Sequence, residues 1–251
     1  MAAVVTLKNI SKFYHTENGE TEALRNVDFT VDEKEFVSII GPSGCGKSTV
    51  LSIIAGLEEK SGGTINIKSK GENSRIGYML QQDHLFPWLT VRQNAFLGLD
   101  IRKERNFESE NRVDMLLDRY GLNEFKNKYP CELSGGMRQR AALIRTLAIN
   151  PSVLLLDEPF SALDYQTRLS VSDDIHSIIK EENKTAILVT HDISEAISMS
   201  DRIIVLSKRP AIVKNIYNIK LSGETSPIMR RKAPEFSSYF QALWEELNSL
   251  E

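Results

Sequence analysis

Hydrophobic and polar residues alternate in the first part of the chain, and this pattern predicts β-strands. Residues 3–10 and 23–31 alternate, and the polar turn 16–20 between them predicts an antiparallel hairpin system. Residues 64–68 and 75–80 also predict strands. We therefore expect antiparallel β-structure near the start of the chain.

Four other segments are almost wholly apolar, as strands are when they are buried on both faces of a sheet. They are residues 35–40, 153–157, 185–190 and 201–206. Helical spacing of apolar residues predicts helices in other segments, namely 50–57, 90–150 and 168–180. Strands separated by helices pair in parallel, so the pattern predicts an α/β fold. Ligands of such a sheet bind at the carboxyl ends of its strands.

The last segment, residues 234–251, has apolar side chains spaced by three and four. This spacing predicts an amphipathic helix. Two uses fit such a helix: it packs on its own domain, or it contacts a partner.

The segment from Gly41 to Thr49 has the pattern G-x-x-x-x-G-K-[ST] between a predicted strand and a predicted helix. Such a loop turns its backbone N–H groups inward and forms an anion-binding concavity at a helix N-terminus. Lys47 can then reach the β- and γ-phosphates, and the Ser48 hydroxyl can bind Mg²⁺. An ordinary glycine-rich turn is the alternative. The predicted nucleotide-binding residues of this loop are Gly41, Pro42, Ser43, Gly44, Cys45, Gly46, Lys47, Ser48 and Thr49.

Polar residues follow three of the predicted strands: Gln81, Asp157 with Glu158, and His191. Because parallel strands end at one edge of their sheet, we expect these residues to lie near the phosphate loop. A second helix start lies at Ser134, Gly135 and Gly136. Ser134 occupies the capping position there, so this helix N-terminus can also hold an anion.

Two aromatic positions have both a functional and an ordinary interpretation. Tyr14 lies on a segment near the phosphate-loop strand, where it stacks on a nucleotide base or is a plain surface or core tyrosine. The loop Leu85-Phe86-Pro87-Trp88 is unusually apolar and shows no clear period. It either packs under a neighbouring element or meets a partner.

The chain has 251 residues, a net charge of −3, and ordinary fractions of hydrophobic (41%) and charged (26%) residues. This balance does not favour binding to nucleic-acid phosphates. No apolar run approaches the roughly 20 residues that span a bilayer, and no export signal is evident. Cys45 and Cys131 form neither a metal pattern nor a disulfide framework, which favours a reducing cytoplasm. Cys45 is either a small filler in the loop or a thiol activated by the helix N-terminus.

The chain resembles the ATP-binding subunits of ABC transporters over nearly its whole length. Residues 41–49 resemble the Walker A motif, 133–137 the signature motif, and 153–158 Walker B. Residues 161–164 resemble the D-loop, with Asp164 at its end. The resemblance implies these roles: Tyr14 stacks on adenine, Thr49 contacts the α-phosphate, Gln81 senses Mg²⁺ and water, Asp157 orients Mg²⁺, Glu158 is the general base, and His191 contacts the γ-phosphate.

The fold implied by this resemblance is a P-loop NTPase with a RecA-like core. Residues 1–84 and 151–220 would form the nucleotide-binding core, with an antiparallel β subdomain at the N-terminus. Residues 85–150 would form the inserted helical subdomain with the signature motif. Residues 221–251 would form the tail and its amphipathic helix.

Residues 85–91 and 207–212 resemble the subunits that import nitrate, sulfonates and taurine, although the turn Lys208-Arg209-Pro210 departs from that group's usual Pro-Arg-Pro-Gly. The resemblance implies ATP hydrolysis with Mg²⁺ in a pair of copies, where Ser134, Gly135 and Gly136 of one copy act on the ATP of the other. It also implies two permease subunits, an extracytoplasmic solute-binding protein as an indirect partner, and a peripheral place on the cytoplasmic face of the cell membrane. Import of a thiamine-precursor pyrimidine and a soluble ABC ATPase outside transport are alternatives.

Overall fold

The computed structural model describes residues 3–16, 19–68, 75–223 and 226–250. Strands and helices alternate along most of this length. In chain order they are β1 (Ala3–Thr16), β2 (Gly19–Asp32), β3 (Phe36–Ile40), α1 (Lys47–Ile54), β4 (Gly62–Ile67), β5 (Ile76–Met79), α2 (Val91–Arg102), α3 (Phe107–Arg119), α4 (Gly135–Ala148), β6 (Val153–Asp157), α5 (Tyr165–Glu181), β7 (Thr185–Val189), α6 (Ile193–Met199), β8 (Arg202–Leu206), β9 (Val213–Asn218), α7 (Pro227–Arg230) and α8 (Phe236–Ser249).

The first sheet is antiparallel, with strand order β2-β1-β4. The predicted hairpin of β1 and β2 is confirmed, but both strands are longer than the alternation indicated. β1 continues to Thr16, which pairs with Gly19, so pairing extends into the segment predicted as a turn. Register shifts interrupt the ladder, which explains why a strict alternation of apolar residues ends early.

The second sheet has the order β5-β6-β7-β3-β8-β9 and is parallel except for β9. The apolar runs predicted as buried strands are confirmed as β3, β6, β7 and β8. Their register aligns Ile39 with Val189 and Val189 with Asp157. The residues that follow these positions therefore leave the sheet at one edge.

Side chains of β6 show how the sheet separates two hydrophobic cores. Leu154 and Leu156 pack in the core with α2 to α5, whereas Val153 and Leu155 pack in the core with α1 and the antiparallel sheet. This alternation follows from the two-residue period of a strand. All four side chains are fully buried, so the six-stranded sheet is the central layer of an α/β fold.

The helical pattern predicted over 90–150 separates into α2, α3 and α4. Thr90 and Asn106 cap the first two helices, each through its side chain and the backbone N–H three residues later. α1 begins at Lys47, earlier than the apolar pattern predicted, and the N–H of Val50 donates to the carbonyl of Gly46. The end of the phosphate loop is thus already the first helical turn.

The sequence pattern missed β9 and α6. None of the β9 side chains is fully buried, so this edge strand lacks the apolar stripe that marks the others. α6 has only seven residues, and it begins where the Asp192 carboxylate accepts the N–H groups of Ser194 and Glu195. Both elements are too short or too polar for periodicity to reveal them.

The predicted C-terminal helix is present as α8, and it packs on its own domain. Leu243 is fully buried in a core shared with α6 and β8. The Tyr217 hydroxyl donates to Glu246 at 2.5 Å, and the Tyr239 hydroxyl donates to the carbonyl of Asn218 at 3.1 Å. In the described part of the chain, no helix is both long and apolar enough to span a membrane.

Candidate nucleotide site

The phosphate loop joins the end of β3 to the start of α1. Lys47 folds back over the loop, and its Nζ donates to the carbonyls of Gly41 at 2.8 Å and Pro42 at 3.0 Å. Only 7% of Lys47 is exposed. A buried ammonium held by neutral carbonyls is available to pair with an anion that enters the loop.

Gly46 cannot be replaced by a larger residue without a change in the loop. Its φ is +123°, which L side chains rarely adopt, and a Cβ there would meet Leu24 Cδ2 at 2.9 Å. Leu24 belongs to β2 of the antiparallel sheet. That sheet therefore packs directly against the loop at Gly46.

An oxygen-rich cluster lies beside the start of α1. The Ser48 hydroxyl donates to Asp157 Oδ1 at 3.0 Å, and the Tyr78 hydroxyl donates to Asp157 Oδ2 at 3.2 Å. Burial raises the pKa of the Asp157 carboxyl, while these two hydrogen bonds and Lys47 oppose the shift. Burial, with Asp157 nearby, also raises the pKa of Tyr78 to about 12.

The donor set of this cluster fits Mg²⁺. Mg²⁺ prefers oxygen ligands and is held by one or two carboxylates together with substrate phosphates. The Ser48 hydroxyl and the Asp157 carboxylate supply such oxygens at the mouth of the phosphate loop. Among the described residues, no group of three or more His, Cys, Asp or Glu side chains could hold a metal ion, so a site that relies on phosphate oxygens suits this chain better than a closed protein cage.

Glu158 is the next residue in the chain after Asp157, and its carboxylate is the centre of a second cluster. Its Oε2 lies 3.1 Å from His191 Nδ1 and 3.4 Å from Gln81 Nε2. Its backbone has φ +44°, and its N–H donates to the carbonyl of Val189 at 2.8 Å. A positive φ at a non-glycine residue costs on the order of 1 kcal/mol or more, and such residues concentrate at functional sites.

A cavity of about 240 Å³ opens over the phosphate loop. Its lining residues are Ser43, Gly44, Gly46, Lys47, Ser48, Thr49, Glu158 and Arg209. The structure therefore brings six of the nine predicted loop residues together with the predicted base, Glu158, and the lining does not include Gly41, Pro42 or Cys45. Arg209 is the member that sequence reasoning did not assign to the site.

Tyr14 lies on β1 beside this loop. Its hydroxyl donates to Glu58 Oε2 at 2.5 Å and lies 3.2 Å from Thr49 Oγ1. The ammonium of Lys12 is 4.9 Å from the centre of its ring. Tyr14 thus reaches the phosphate loop through its hydroxyl, and its ring already carries a cation contact.

Cys45 is 1% exposed, and burial raises the pKa of its thiol. This environment favours the neutral thiol. Of the two interpretations from sequence, the structure supports the small filler over the activated nucleophile.

The second helix start is also built as the sequence suggested. Ser134 caps α4, and its hydroxyl accepts the N–H of Met137 at 3.3 Å. Gly136 is buried, and a Cβ there would meet Val171 Cγ2 at 2.7 Å. Asp164 caps α5 by accepting the N–H of Thr167 at 3.1 Å, and hydrogen bonds from the side chain and then the backbone of Thr167 lower the pKa of its carboxyl.

A separate cavity of about 450 Å³ joins this helix start to the segment after β5. It is lined by Gln82, Asp83, Ser134, Gly135, Arg138, Gln139, Ala162, Leu163, Asp164 and Thr167. Among the described residues, those lining the phosphate-loop cavity include none from 133–137. Within one chain, the two predicted anion-binding helix starts therefore face different cavities.

Two arginines of α4 hold the segment that follows Gln81. Arg138 Nε donates to Asp83 Oδ2 at 3.0 Å, and Arg145 donates to the carbonyls of Asp83 at 2.8 Å and His84 at 2.6 Å. Neither arginine carries a sequence signal for these contacts, because their partners lie more than fifty residues away in the chain. They tie the Gln81 segment to the helix that starts at Ser134.

The apolar loop 85–88 divides between core and surface. Leu85 is 7% exposed, whereas Phe86 is 37% and Trp88 is 68% exposed. The rings of Phe86 and Trp88 lie 5.0 Å apart. The loop is therefore anchored by Leu85 and presents two contacting aromatic rings at the surface.

A phosphate loop of this sequence between a parallel strand and a helix defines the class of P-loop nucleoside triphosphatases. Glu158 and His191, from neighbouring strands, lie beside this loop. Comparison with known proteins gives the family. The family model described as ABC transporter matches residues 24–161, and the chain belongs to this family. As a member it is an ATPase that carries the ATP-binding function of such a transporter.

Relatives match over most of their length. An ABC transporter ATP-binding protein of Bacillus subtilis (YtlC) is 50% identical over 247 residues, or 97% of this chain and 95% of that protein. A nitrate import ATP-binding protein of Synechocystis (NrtD) is 38% identical over 97% of this chain and 93% of that protein. An aliphatic sulfonates import ATP-binding protein of Bacillus thuringiensis (SsuB) is 39% identical, with 87% of each chain covered. A taurine import ATP-binding protein of Jannaschia (TauB) is 39% identical over 88% of this chain and 84% of that protein. The resemblance to this group is confirmed.

The fold expected from the sequence is confirmed by solved structures. A dimer of the ATP-binding cassette MJ0796 with ADP and phosphate superposes with a TM-score of 0.72 at 35% identity. The match covers 86% of this chain and 99% of that one.

Proposed function

We propose that this chain hydrolyses ATP to drive an importer for a small oxidised solute of the nitrate, sulfonate or taurine type. The observation that carries the catalytic part is the position of Glu158, which lines the phosphate-loop cavity and contacts His191. The names of the relatives NrtD, SsuB and TauB support the solute class.

In this proposal the phosphate loop binds ATP. The loop N–H groups and Lys47 hold the β- and γ-phosphates, and Thr49 contacts the α-phosphate. Tyr14 stacks on adenine. Ser48 and Asp157 hold Mg²⁺, with Gln81 as a further ligand; when bound, the ion neutralises charge on the phosphates.

Hydrolysis is mainly a matter of positioning and charge. Glu158 accepts a proton from the attacking water, and His191 donates a hydrogen bond to the γ-phosphate. Gln81 lies within reach of Glu158 and orients the water. In support, His191 Nδ1 and Gln81 Nε2 lie 3.1 Å and 3.4 Å from the same carboxylate oxygen of Glu158, so both side chains are next to the proposed base.

A second copy completes the site in this proposal. Ser134, Gly135 and Gly136 of one copy close over the ATP of the other, with Asp164 near the contact. Their location in a cavity distinct from the phosphate loop supports this arrangement. The dimeric state of the MJ0796 cassette supports it as well.

The energy of closure passes to two permease subunits, which receive solute from an extracytoplasmic binding protein. The exposed rings of Phe86 and Trp88 form the surface that receives a helix of the permease. The chain then acts as a peripheral protein on the cytoplasmic face of the cell membrane. The bonds from Arg138 to Asp83 and from Arg145 to His84 connect the segment just before that surface to the helix of Ser134.

Uptake measurements test this function. We expect deletion of the gene to abolish energised uptake of labelled nitrate, an aliphatic sulfonate or taurine. The wild-type gene restores that uptake, and the Glu158→Gln variant does not. Unchanged uptake of all three solutes after deletion would contradict the proposed solute class.

A further inference from the structure

Arg209 lies on a turn that is next to the phosphate loop because of the strand order in the parallel sheet. The turn follows β8, which runs parallel to β3 with Val205 beside Ile40. The residues after both strands therefore emerge at the same edge. The chain places Arg209 there although 165 residues separate it from Gly44.

The turn is held firmly at both ends. The N–H of Ser207 donates to the carbonyl of Ile212, and the Ser207 hydroxyl accepts the N–H of Ile212, both at 3.0 Å. Ala211 donates to the carbonyl of Ala23 and accepts from the N–H of Arg25, both at 2.9 Å. The backbone that carries Arg209 is thus fixed against β2 of the antiparallel sheet.

The Arg209 side chain reaches into the phosphate-loop cavity. Its Nη2 donates to the carbonyl of Gly44 at 2.7 Å, and the residue lines the cavity beside Thr49 and Glu158. Lys47 is nearly buried under the loop, whereas Arg209 is exposed. Arg209 is therefore the cation on the open side of this cavity.

The positive charge of Arg209 acts on two ionisable side chains, Tyr14 and Cys45. Burial raises the pKa values of the Tyr14 phenol and the Cys45 thiol, and Arg209 opposes both shifts. The guanidinium is thus close enough to the predicted adenine-binding tyrosine and to the phosphate loop to act on ionisable groups of both. An anion that enters here meets Arg209 as well as Lys47.

We propose that Arg209 is a further nucleotide-binding residue. When a nucleotide binds, the Arg209 guanidinium breaks its hydrogen bond to the carbonyl of Gly44 and donates instead to a phosphate oxygen of the nucleotide. A charged phosphate oxygen is a stronger acceptor than a neutral carbonyl, and the planar guanidinium fork suits phosphate. The proposal rests on the nucleotide site proposed at residues 41–49. It also gives the turn 207–212 a function beyond marking the importer group.

Calorimetric binding of Mg-ADP and of a non-hydrolysable Mg-ATP analogue tests this role. Loss of a charge-assisted hydrogen bond should raise the Kd of Arg209→Gln about tenfold for both nucleotides. Arg209→Lys should lose less, because it keeps the charge. Lys208→Gln is the matched control, since it removes the same charge from the neighbouring exposed position, and we expect its Kd to stay within about twofold.

Three results would overturn the proposal. The first is wild-type affinity in Arg209→Gln. The second is an equal loss in Lys208→Gln, which would indicate only net charge. The third is an equal loss in Arg209→Lys with a lower melting temperature of the nucleotide-free protein, which would make Arg209 a brace for Gly44. If the wild-type chain binds neither nucleotide, the proposed phosphate-loop site itself is wrong. If the wild-type chain binds both, the three results above bear on Arg209 alone.

Discussion

Glu158 Oε2 and His191 Nδ1 lie 3.1 Å apart, although 33 residues separate them in the chain. The register of β6 and β7 causes this contact, because Asp157 is directly opposite Val189. Gln81 reaches the same carboxylate oxygen from the end of β5. One carboxylate therefore contacts polar side chains from the two strands that flank its own in the sheet.

Replacement of Glu158 by glutamine should stop turnover while ATP still binds. The amide cannot accept the proton of water, and loss of a general base costs about 10²-fold or more in rate. The ATP-bound dimer should then accumulate, which size-exclusion chromatography with Mg-ATP measures. Glu59→Gln makes the same change at an exposed position and should behave as the wild type. A Glu158→Gln chain that binds ATP and stays monomeric would count against the two-copy site.

Mixing two inactive variants tests whether the signature residues act across the dimer. Ser134→Asp keeps a capping oxygen for α4 but places a negative charge where we expect phosphate. A mixed dimer with Glu158→Gln has one site with both residues intact, so ATPase activity should exceed that of either variant alone. A mixture of Glu158→Gln with Lys47→Ala is the control, since both changes act within their own copy's site and no site is intact. Equal activity in the two mixtures would argue for signature action within one chain.

Substitutions of Tyr14 separate stacking from its hydroxyl contact. Tyr14→Ala should weaken Mg-ADP binding about tenfold, because stacking on a base contributes about 1–3 kcal/mol. Tyr14→Phe keeps the ring and loses the bonds to Glu58 and Thr49, so its affinity should stay within about twofold. Calorimetry measures both. If Tyr14→Phe binds as weakly as Tyr14→Ala, the hydroxyl contact to Thr49 is the important feature.

Trp88→Ala should weaken assembly with the permease and leave ATP binding unchanged. Truncation of a large aromatic residue at the centre of an interface costs about 2 kcal/mol or more, and Trp88 is 68% exposed in this chain. Co-purification of the chain with its membrane subunits measures assembly. Trp244→Ala, at the other tryptophan and 53% exposed on α8, is the matched control. Loss of ATP binding in Trp88→Ala would instead show that the residue supports the fold.

His176 should make the free energy of unfolding depend on pH. It is 3% exposed on α5, its ring lies 5.6 Å from that of Phe36, and its Nε2 is buried without a partner among the described residues. Burial lowers its pKa from 6.5 to about 4, and the charges of Lys180 and Arg230 act in the same direction. Between pH 6.5 and pH 4, His176 binds a proton in the unfolded chain but stays neutral in the folded chain. Stability from this group is therefore complete above pH 6.5 and is lost as pH falls towards 4.

Urea unfolding at pH 7.5 and pH 5 measures this effect. From the two pKa values, His176 should account for a loss of about 2 kcal/mol at pH 5 relative to pH 7.5. His176→Phe, which suits the apolar surroundings, should reduce the pH dependence by that amount. His15→Phe makes the same change at a histidine whose side chain is 76% exposed, and it is the matched control. An unaltered slope in His176→Phe would contradict the assignment.

The sequence determined the elements whose signals are local. The apolar runs predicted β3, β6, β7 and β8, and the pattern at residues 41–49 predicted a phosphate loop. Motifs of this kind are readable because the loop needs glycine at a fixed position: Gly46 has a φ of +123°, and a Cβ there would lie 2.9 Å from Leu24 Cδ2. Order along the chain then allowed Glu158 and His191 to be expected at one edge, since parallel strands end together.

Only the tertiary structure decided which distant residues meet around these motifs. Three hydrogen bonds have no sequence signal, because each joins residues far apart in the chain. They run from Tyr78 to Asp157, from Arg209 to Gly44, and from Arg145 to the segment after Gln81. Strand order and register fix such meetings, and neither can be read from hydrophobic periodicity, which reports only whether a residue faces the core. The sequence therefore determined that a nucleotide site exists in this chain, and the packing of the two sheets decided which further charges surround it.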